Sequence, residues 1–232
     1  MDRENQLRQF LEKHAGARVL PEQALKEFLR DAGLPAPRSL YLPLGAPLPD
    51  LSRLSYPLVA KVFSAKIRSK TDVGGIRFGL KDAATVAAAC SDLMKIKDVE
   101  GVILEEQARP GREVIVGGIV DPQFGPVVMF GLGGIFVELF QDVAFALAPV
   151  TRDDALHLVK QVKGYRLLTG YRGAAPCDLE TLADILVTVS ELMATGLLEE
   201  IDLNPVALYP DGAMILDAKM LVTLSPPHDS SP

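Results

Sequence analysis

The chain has 232 residues, 48% of them hydrophobic and 23% charged, a balance typical of a folded globular protein with one large domain or two small lobes. Its formal net charge of −6 argues against a broad nucleic-acid-binding surface, which needs a basic face. No signal peptide or membrane span is predicted, because the N-terminal segment mixes acids with bases and the most apolar stretch, Gly125 to Phe140, is broken by glycines and Glu138. Cys90 and Cys177 lack metal-ligand spacing, which favours reduced thiols in a cytoplasmic protein.

The first half of the chain is predicted to hold mostly helices. Apolar residues recur at helical spacing in residues 2–15, 21–32 and 82–95, and Pro21 and Gly33 mark the first turn and the end of the second helix. Leu58 to Phe63 reads as a buried strand, and the proline-rich segment Leu42 to Asp50 as a surface connection.

The second half alternates between β-branched runs and amphipathic helices. Strands are predicted at 101–104, 113–120, 126–129, 200–208 and 213–221, and helices at 152–162 and 178–193. The last two strands meet around Pro210-Asp211-Gly212, a turn sequence. This mixture predicts an α+β (mixed α/β) fold, with the final residues, 225–232, as a disordered tail.

A lysine in an apolar strand is the first candidate for a binding site. Lys61 lies within Leu58 to Phe63, where a buried ammonium needs an anion. The glycine pair Gly74-Gly75 downstream lets backbone amides approach a phosphate. The alternative is a solvated basic turn with Lys61 extended to the sheet edge.

Two glutamates and a set of glycines form further candidates. Glu105 ends a predicted strand and Glu113 follows a Pro-Gly turn, a pattern that suits either the adenine and ribose of a nucleotide or an exposed strand end. The glycine-rich segment Phe130 to Glu138 includes Gly131, Gly133 and Gly134 and suits either an anion or a tightly packed turn. It has neither the Walker lysine nor a G-x-G-x-x-G spacing.

The final hairpin offers ligands for a hard cation. Asp202 and Asn204 are two apart and therefore share one face of a strand. With Asp211-Gly212 as a two-residue loop, Asp217 lies opposite Val206 and diagonal to Asn204. Oxygen ligands on one face suit Mg²⁺, which keeps waters or phosphate oxygens in its shell. The alternative is the polar outer face of a hairpin.

Taken in order, six motifs resemble those of the ATP-grasp β subunit of ADP-forming acyl-CoA (acetyl-CoA) synthetases, and more distantly the β subunit of succinyl-CoA synthetases. The motifs are AKVFS, KTDVGGIRFGL, EEQARPGREV, DPQFGPVVMFGLGGIFVE, KGYRLLTGYRG, and DLNPV with LDAK. The resemblance extends from about Pro21 to Val222. It implies an ATP-grasp fold of two lobes, 21–106 and 107–224, preceded by a lead-in at 1–20, with the nucleotide in the cleft between the lobes.

The resemblance also assigns roles to residues. Lys61, Gly74 and Gly75 are implied to bind the phosphates of ATP or ADP, Glu105 the adenine and Glu113 the ribose. Asn204 and Asp217, with Asp202 less directly, are implied to ligate Mg²⁺. Gly131, Gly133 and Gly134 are implied to meet the phosphoryl group as it arrives. The implied reaction converts acyl-CoA, phosphate and ADP to acid, CoA and ATP, through an acyl phosphate and a phosphohistidine.

One position departs from the family pattern. Members carry a histidine in I-x-H-K-(S/T)-D that relays the phosphoryl group to ADP, whereas this chain reads IRSKTD with Ser69 at that position. A phosphoserine is a low-energy ester and cannot fill this role. Three interpretations stay open: a partner histidine that reaches the nucleotide directly, an engineered substitution, or a non-catalytic nucleotide-sensing or scaffolding subunit.

The resemblance further implies a second subunit. The chain has no G-x-G-x-x-G for a CoA-binding module and no room for one beside the ATP-grasp fold. We therefore expect a CoA-binding α subunit, in an α2β2 heterotetramer, and a cytoplasmic ligase subunit that is active only with that partner.

Overall fold

A computed structural model describes residues 3–18, 20–64, 66–67, 69–134 and 140–223. Its helices are α1 (Arg3–Lys13), α2 (Glu22–Asp31), α3 (Ala83–Leu93), α4 (Arg152–Gln161) and α5 (Leu179–Ala194). Its strands are β1 (Ser39–Pro43), β2 (Leu58–Phe63), β3 (Ile76–Leu80), β4 (Gly101–Glu106), β5 (Arg112–Asp121), β6 (Gly125–Leu132), β7 (Val143–Leu147), β8 (Leu198–Tyr209), β9 (Gly212–Ile215) and β10 (Ala218–Val222). Short 3₁₀ helices lie at Lys163–Leu167 and Tyr171–Gly173. The fold is mixed α/β, as predicted, and it contains two antiparallel sheets.

The smaller of two compact units comprises Pro37–Arg109. Its four-stranded sheet has the order β1-β4-β2-β3, and α3 packs on β2 and β3. α3 begins at Asp82 because that side chain accepts a hydrogen bond from Thr85 N at 2.8 Å, which satisfies one free amide of the first turn. Strand β1 overlaps the segment Leu42 to Asp50, which was predicted as a connection, and its pairing with β4 explains the difference.

The larger unit comprises Met1–Ala36 and Pro110–Pro232. Its sheet runs in the order β10-β8-β5-β6-β7, with β9 also paired to β8. The predicted apolar face of α5 is confirmed, because it packs against β5 and β6 and is fully buried at Leu182, Ile185, Leu186, Val189 and Leu192. One sheet face therefore forms a core with the helices, and the other face carries the alternate side chains.

The N-terminal segment belongs with the larger unit. Leu25, Phe28 and Leu29 on α2 are buried in the same core as β10, which they help to cover at the sheet edge. The structure thus groups residues 21–36 with the larger unit, whereas the sequence analysis assigned them to the first lobe. The reason is that α2 finds its apolar partner far along the chain. The predicted tail, 225–232, lies outside the described residues.

Across the described parts of the chain, no helix is long and apolar enough to cross a membrane.

Candidate functional site

Lys61 and Glu105, predicted to bind phosphate and adenine, form an ion pair within the smaller unit. β2 and β4 are antiparallel, with Val59 opposite Glu105 and Lys61 two residues further along the same face. The Lys61 Nζ lies 2.7 Å from Glu105 Oε2. The Lys61 side chain is 12% exposed and that of Glu105 only 1%. The anion that Lys61 needs is thus supplied at least in part by the protein itself, and a phosphate would join this pair.

The glycine pair forms a tight turn just before β3. Gly75 N donates to Lys70 O at 2.7 Å, and Val62 N donates to Gly75 O at 2.8 Å. A Cβ on Gly75 would lie 2.4 Å from Val62 Cγ2, so no larger residue fits there. Gly74 has φ +62, which favours glycine. The residue type at both positions therefore follows from the turn itself, whatever ligand approaches it.

Ser69 lies at the start of the same turn. Its Oγ accepts a hydrogen bond from Asp72 N at 3.2 Å, three residues on. This is a local side-chain to backbone bond of the kind that serine commonly makes in turns. The side chain at the position of the family histidine is therefore engaged in the turn's own hydrogen bonding.

Glu113 and two of the predicted glycines line one pocket in the larger unit. The pocket has a volume of about 280 Å³ and is lined by Gly111, Arg112, Glu113, Leu132, Gly133, Gly134 and Leu167. Gly133 N donates to Glu113 O at 3.0 Å. A Cβ on Gly133 would lie 2.9 Å from that same oxygen, so the close approach of the two backbones requires glycine. Glu113, predicted to bind the ribose, and Gly133 and Gly134, predicted to meet the phosphoryl group, thus line the same pocket.

Gly131 differs from its two neighbours. It lies within β6, opposite Ile115 on β5 and Val143 on β7. The strand continues to Leu132, three residues beyond the predicted end at 129, because the flanking strands β5 and β7 continue to pair with it. The predicted glycine-rich loop therefore begins at Gly133, and its residues 135–138 lie outside the described part.

The hairpin register brings Asn204 and Asp217 together. The loop consists of Pro210 and Asp211, since Tyr209 pairs with Gly212, and Val206 lies opposite Ile215 rather than Asp217 as predicted. Asn204 N donates to Asp217 O at 3.1 Å, which places the two residues directly across from each other. The next pairs, Ala218 with Leu203 and Lys219 with Asp202, follow the same register.

Of the two candidate metal ligands, Asn204 is exposed and Asp217 is half-buried. Their sequence neighbours Leu203 and Ala218 belong to the core. Asp217 Oδ1 accepts from Ala218 N at 2.9 Å, which fixes the orientation of the carboxylate. Two oxygen-bearing side chains on adjacent strands suit Mg²⁺, because Mg²⁺ takes few protein ligands and completes its shell with water and phosphate.

Asp202 is the third residue of the predicted set. Burial raises the pKa of its carboxyl, and the negative charges of Glu200 and Asp217 raise it further, while Lys219 opposes the shift. A bound cation would relieve this crowding of negative charge. Within the described ranges, however, no three or more His, Cys, Asp and Glu side chains are grouped so that they could hold a metal ion. Asn204 and Asp217 stay the candidate pair of ligands, and the charge of Asp217 acts on Asp202.

Several residues near the pocket escaped the sequence analysis. Arg112 and Leu167 line it. Leu167 belongs to the motif KGYRLLTGYRG, which was noted only for its family likeness. Its 3₁₀ turn is held by the buried Asp142, whose carboxylate accepts from Lys163 N at 2.7 Å and Gly164 N at 2.9 Å. A glycine between a lysine and a tyrosine gives no local signal of such a contact.

Comparison with known proteins adds the following. Residues 12–222 match the model of the ATP-grasp domain. The chain is 41% identical to the acetate–CoA ligase [ADP-forming] I subunit beta of Pyrococcus furiosus, across 96% of this chain and 100% of that one. It is 43% identical to the acetate–CoA ligase [ADP-forming] II of Archaeoglobus fulgidus, across 73% of this chain and 25% of that one.

Among solved structures, the chain resembles the dinucleotide-forming acetyl-coenzyme A synthetase 1 of Ca. Korarchaeum cryptofilum, in complex with coenzyme A and Mg-AMPPCP. The two share 36% identity with a TM-score of 0.81, across 95% of this chain and 100% of the solved chain. In that structure the phosphohistidine segment points towards the nucleotide binding site.

Proposed function

The chain belongs to the ATP-grasp domain family, and on that premise we propose that it is the nucleotide-binding β subunit of an ADP-forming acyl-CoA synthetase. The reaction converts acyl-CoA, phosphate and ADP to acid, CoA and ATP. Phosphate displaces CoA to give an acyl phosphate, a histidine takes the phosphoryl group and releases the acid, and ADP takes it from the histidine. Its relatives include ADP-forming ligase subunits, which supports a ligase subunit here.

The observation that carries this proposal is the meeting of Glu113 with Gly133 and Gly134 around one pocket. A carboxylate can accept hydrogen bonds from ribose hydroxyls, and a backbone amide of a glycine turn can donate to phosphate oxygens. Because Gly133 N already donates to Glu113 O, the amide of Gly134 is the one proposed for phosphate. Both features come from one antiparallel pair, β5 and β6, so their spacing is rigid. In this proposal Lys61, Gly74 and Gly75 bind phosphate, and Glu105 approaches the adenine.

We assign Mg²⁺ to Asn204 and Asp217, with Asp202 supporting them through its charge. When bound, the metal would neutralise phosphate charge during phosphoryl transfer. The chain's own contribution is to fix two oxygen ligands across a strand pair and to keep the Asp217 carboxylate oriented through its bond from Ala218 N.

The proposal includes a partner subunit. The Pyrococcus relative is named a subunit beta, and the longer Archaeoglobus enzyme is matched over only 25% of its length, which supports a separate α subunit that binds CoA. We propose an α2β2 assembly in the cytoplasm, with activity only in the complex. Co-purification from the native host followed by mass determination tests this, and a chain recovered without a CoA-binding partner would contradict it.

For Ser69 we propose that a histidine of the partner delivers its phosphoryl group to ADP directly. The hydroxyl of Ser69 already serves the turn through Asp72 N, and a phosphoserine would not pass its group to ADP. With the α subunit present, Ser69→His should leave the rate of ATP formation nearly unchanged. A large increase would show instead that the loop is a carrier lacking its histidine, and acid-stable phosphate on Ser69 formed at the rate of turnover would contradict both.

The second candidate is a non-catalytic nucleotide-sensing or scaffolding subunit, which the missing histidine at position 69 favours. It predicts nucleotide binding without ATP formation in the complex, even after Ser69→His. Acid-labile ³²P labelling of both subunits separates the candidates, because a turning-over enzyme must show a phosphohistidine on one of them.

Calorimetry with ADP and Mg²⁺ on the isolated chain tests nucleotide binding itself. We expect binding at submillimolar concentration, the range common for substrates of such enzymes. Absence of binding of any adenine nucleotide at millimolar concentration would overturn the proposed function.

A further inference from the structure

A lysine that the sequence analysis did not single out is fully buried in the larger unit. Lys26, on α2, has a side chain that is 0% exposed, a position where lysine is almost never found unless it is paired. Its Nζ lies 2.7 Å from Glu22 Oε1, one helical turn earlier, and Glu22 is 7% exposed. The same ammonium donates to the carbonyl of Leu216 at 2.8 Å. Lys26 thus joins a helix near the start of the chain to the sheet near its end.

Leu216 and Asp217 are a break in the strand that runs beside β8. β9 ends at Ile215, and β10 begins at Ala218. On the side of β8 the break keeps its backbone bonds: Leu216 N donates to Pro205 O at 2.9 Å, and Asn204 N donates to Asp217 O at 3.1 Å. β10 is the edge of the sheet among the described strands. The ammonium of Lys26 binds the Leu216 carbonyl within this break.

The peptide bond at the Leu216 carbonyl joins it to Asp217, the candidate metal ligand. Ile215 N, on the other side of the break, donates to Pro35 O at 2.7 Å, so the segment is also held by the chain just beyond α2. A strand break is free to adopt more than one backbone path unless its polar groups are bound. The bonds from Lys26 and to Pro35 fix the outer side of the break, and those with β8 fix its inner side.

Packing of α2 alone does not require a charge at this position. Leu25, Phe28 and Leu29 already cover the core, and burial of an ion pair costs more desolvation energy than burial of an apolar side chain of the same size. What an ammonium adds is a strong, directed bond to a carbonyl. That carbonyl immediately precedes a candidate metal ligand.

We propose that Lys26 is a positioning residue for the metal site: by holding the Leu216 carbonyl it keeps Asp217 opposite Asn204. This inference rests on the proposed assignment of Mg²⁺ to Asn204 and Asp217. The inference also gives α2 a role: through the contact between Lys26 and the Leu216 carbonyl, this helix supports the metal-dependent part of nucleotide binding.

The test uses calorimetry to compare the effect of Mg²⁺ on ADP affinity in the wild type and in a double variant. Glu22→Met/Lys26→Met removes the bond to Leu216 while leaving no isolated charge, and apolar replacement of a whole buried pair in this way is often neutral for stability. We expect the gain in ADP affinity given by Mg²⁺ to fall about 10-fold, the lower end of the effect of residues that support metal ligands. ADP affinity without metal should stay at the wild-type value, a split that mere loosening of the fold does not produce.

Two further variants make the result decisive. Asp217→Asn reports on the proposed metal site: if it leaves the Mg²⁺ effect intact, the metal assignment fails, and the positioning role of Lys26 fails with it. Arg18→Met removes an exposed bond from the same N-terminal segment to Glu199 and should leave both affinities unchanged.

A wild-type Mg²⁺ effect in the double variant, with Asp217→Asn impaired, would overturn the positioning role. Lys26→Met alone serves as a second variant, and its unfolding midpoint is measured alongside. Loss of folding in both Lys26 variants would also overturn the inference, because it would assign Lys26 to stability alone.

Discussion

Replacement of Lys61 tests two roles of this side chain: stabilisation of the smaller unit through its ion pair with Glu105, and the proposed contact with the nucleotide phosphates. Lys61→Met removes the ammonium that lies 2.7 Å from a carboxylate with 1% exposure. Loss of one member of a buried pair costs about 3–5 kcal/mol, because the remaining charge is left without its compensation. We expect Lys61→Met to lower the free energy of unfolding of the smaller unit by an amount near the lower end of that range, since Lys61 itself is partly exposed.

The double variant Lys61→Met/Glu105→Met removes both charges. Apolar replacement of a complete pair ranges from neutral to stabilising by about 1–4 kcal/mol, so the double variant should regain most of the lost stability. If Lys61 also contacts the nucleotide phosphates, the restored fold will still bind ADP more weakly by about 1.5–3 kcal/mol, the scale of a charge-assisted hydrogen bond.

Urea unfolding gives the stability, and calorimetry with Mg-ADP gives the affinity at a temperature where each variant is folded. Phe78, exposed on β3 of the same unit, offers a matched control: Phe78→Met should change neither quantity. Wild-type ADP affinity in the double variant would refute a phosphate contact by Lys61. Undiminished stability in Lys61→Met would refute the reasoning about the buried pair.

Three further predictions concern the larger unit. Gly133→Ala should destabilise it by about 1–3 kcal/mol and weaken ADP binding, because the new Cβ would meet Glu113 O at 2.9 Å. At Gly134 the φ of +61 disfavours alanine but no heavy atom lies within 4 Å, so Gly134→Ala should lose affinity less; equal losses of ADP affinity, by calorimetry, would speak against the close contact. Asp217→Asn should reduce ADP affinity at saturating Mg²⁺ by about 10-fold and leave metal-free affinity intact; a similar loss in both conditions would remove Asp217 from the metal. Asp202→Asn should raise the thermal midpoint of the metal-free protein near neutral pH, because the raised pKa of Asp202 means that its ionised form is less stable folded than unfolded. The gain should shrink as pH falls through that raised pKa towards the ordinary value of 3.8 and vanish below it, and a gain that grows in acid would contradict the assignment.

Local patterns in the sequence were sufficient for most of the elements. The predicted strand Leu58 to Phe63 is found with the same bounds, and the helix predicted at 152–162 is found at Arg152–Gln161. Such segments are determined by the spacing of apolar residues and by caps within a few positions, which the chain displays directly. The ATP-grasp family likewise followed from motifs in order, since short patterns accumulate evidence along a chain without any knowledge of their contacts.

Pairing between distant segments was decided only by the tertiary structure. β1 was missed because its strand character comes from β4, and α2 was placed with the wrong neighbours because its apolar face meets β10. The register of the last hairpin depended on whether its loop was Pro210-Asp211 or Asp211-Gly212, a difference that no local pattern resolves.

The candidate site shows the same division. Lys61, Glu113, Gly133 and Asp217 were identified from the sequence alone. A lysine in an apolar strand, a glycine-rich turn and acids on a hairpin can each be recognised from residue type and local sequence context. Their partners were not visible: the carboxylate beside Lys61 comes from another strand, and the lysine that holds the peptide before Asp217 lies 190 residues from the carbonyl it binds. The sequence determines the chemical groups of each side chain. The charge or carbonyl that such a group contacts depends on which distant segments pack together.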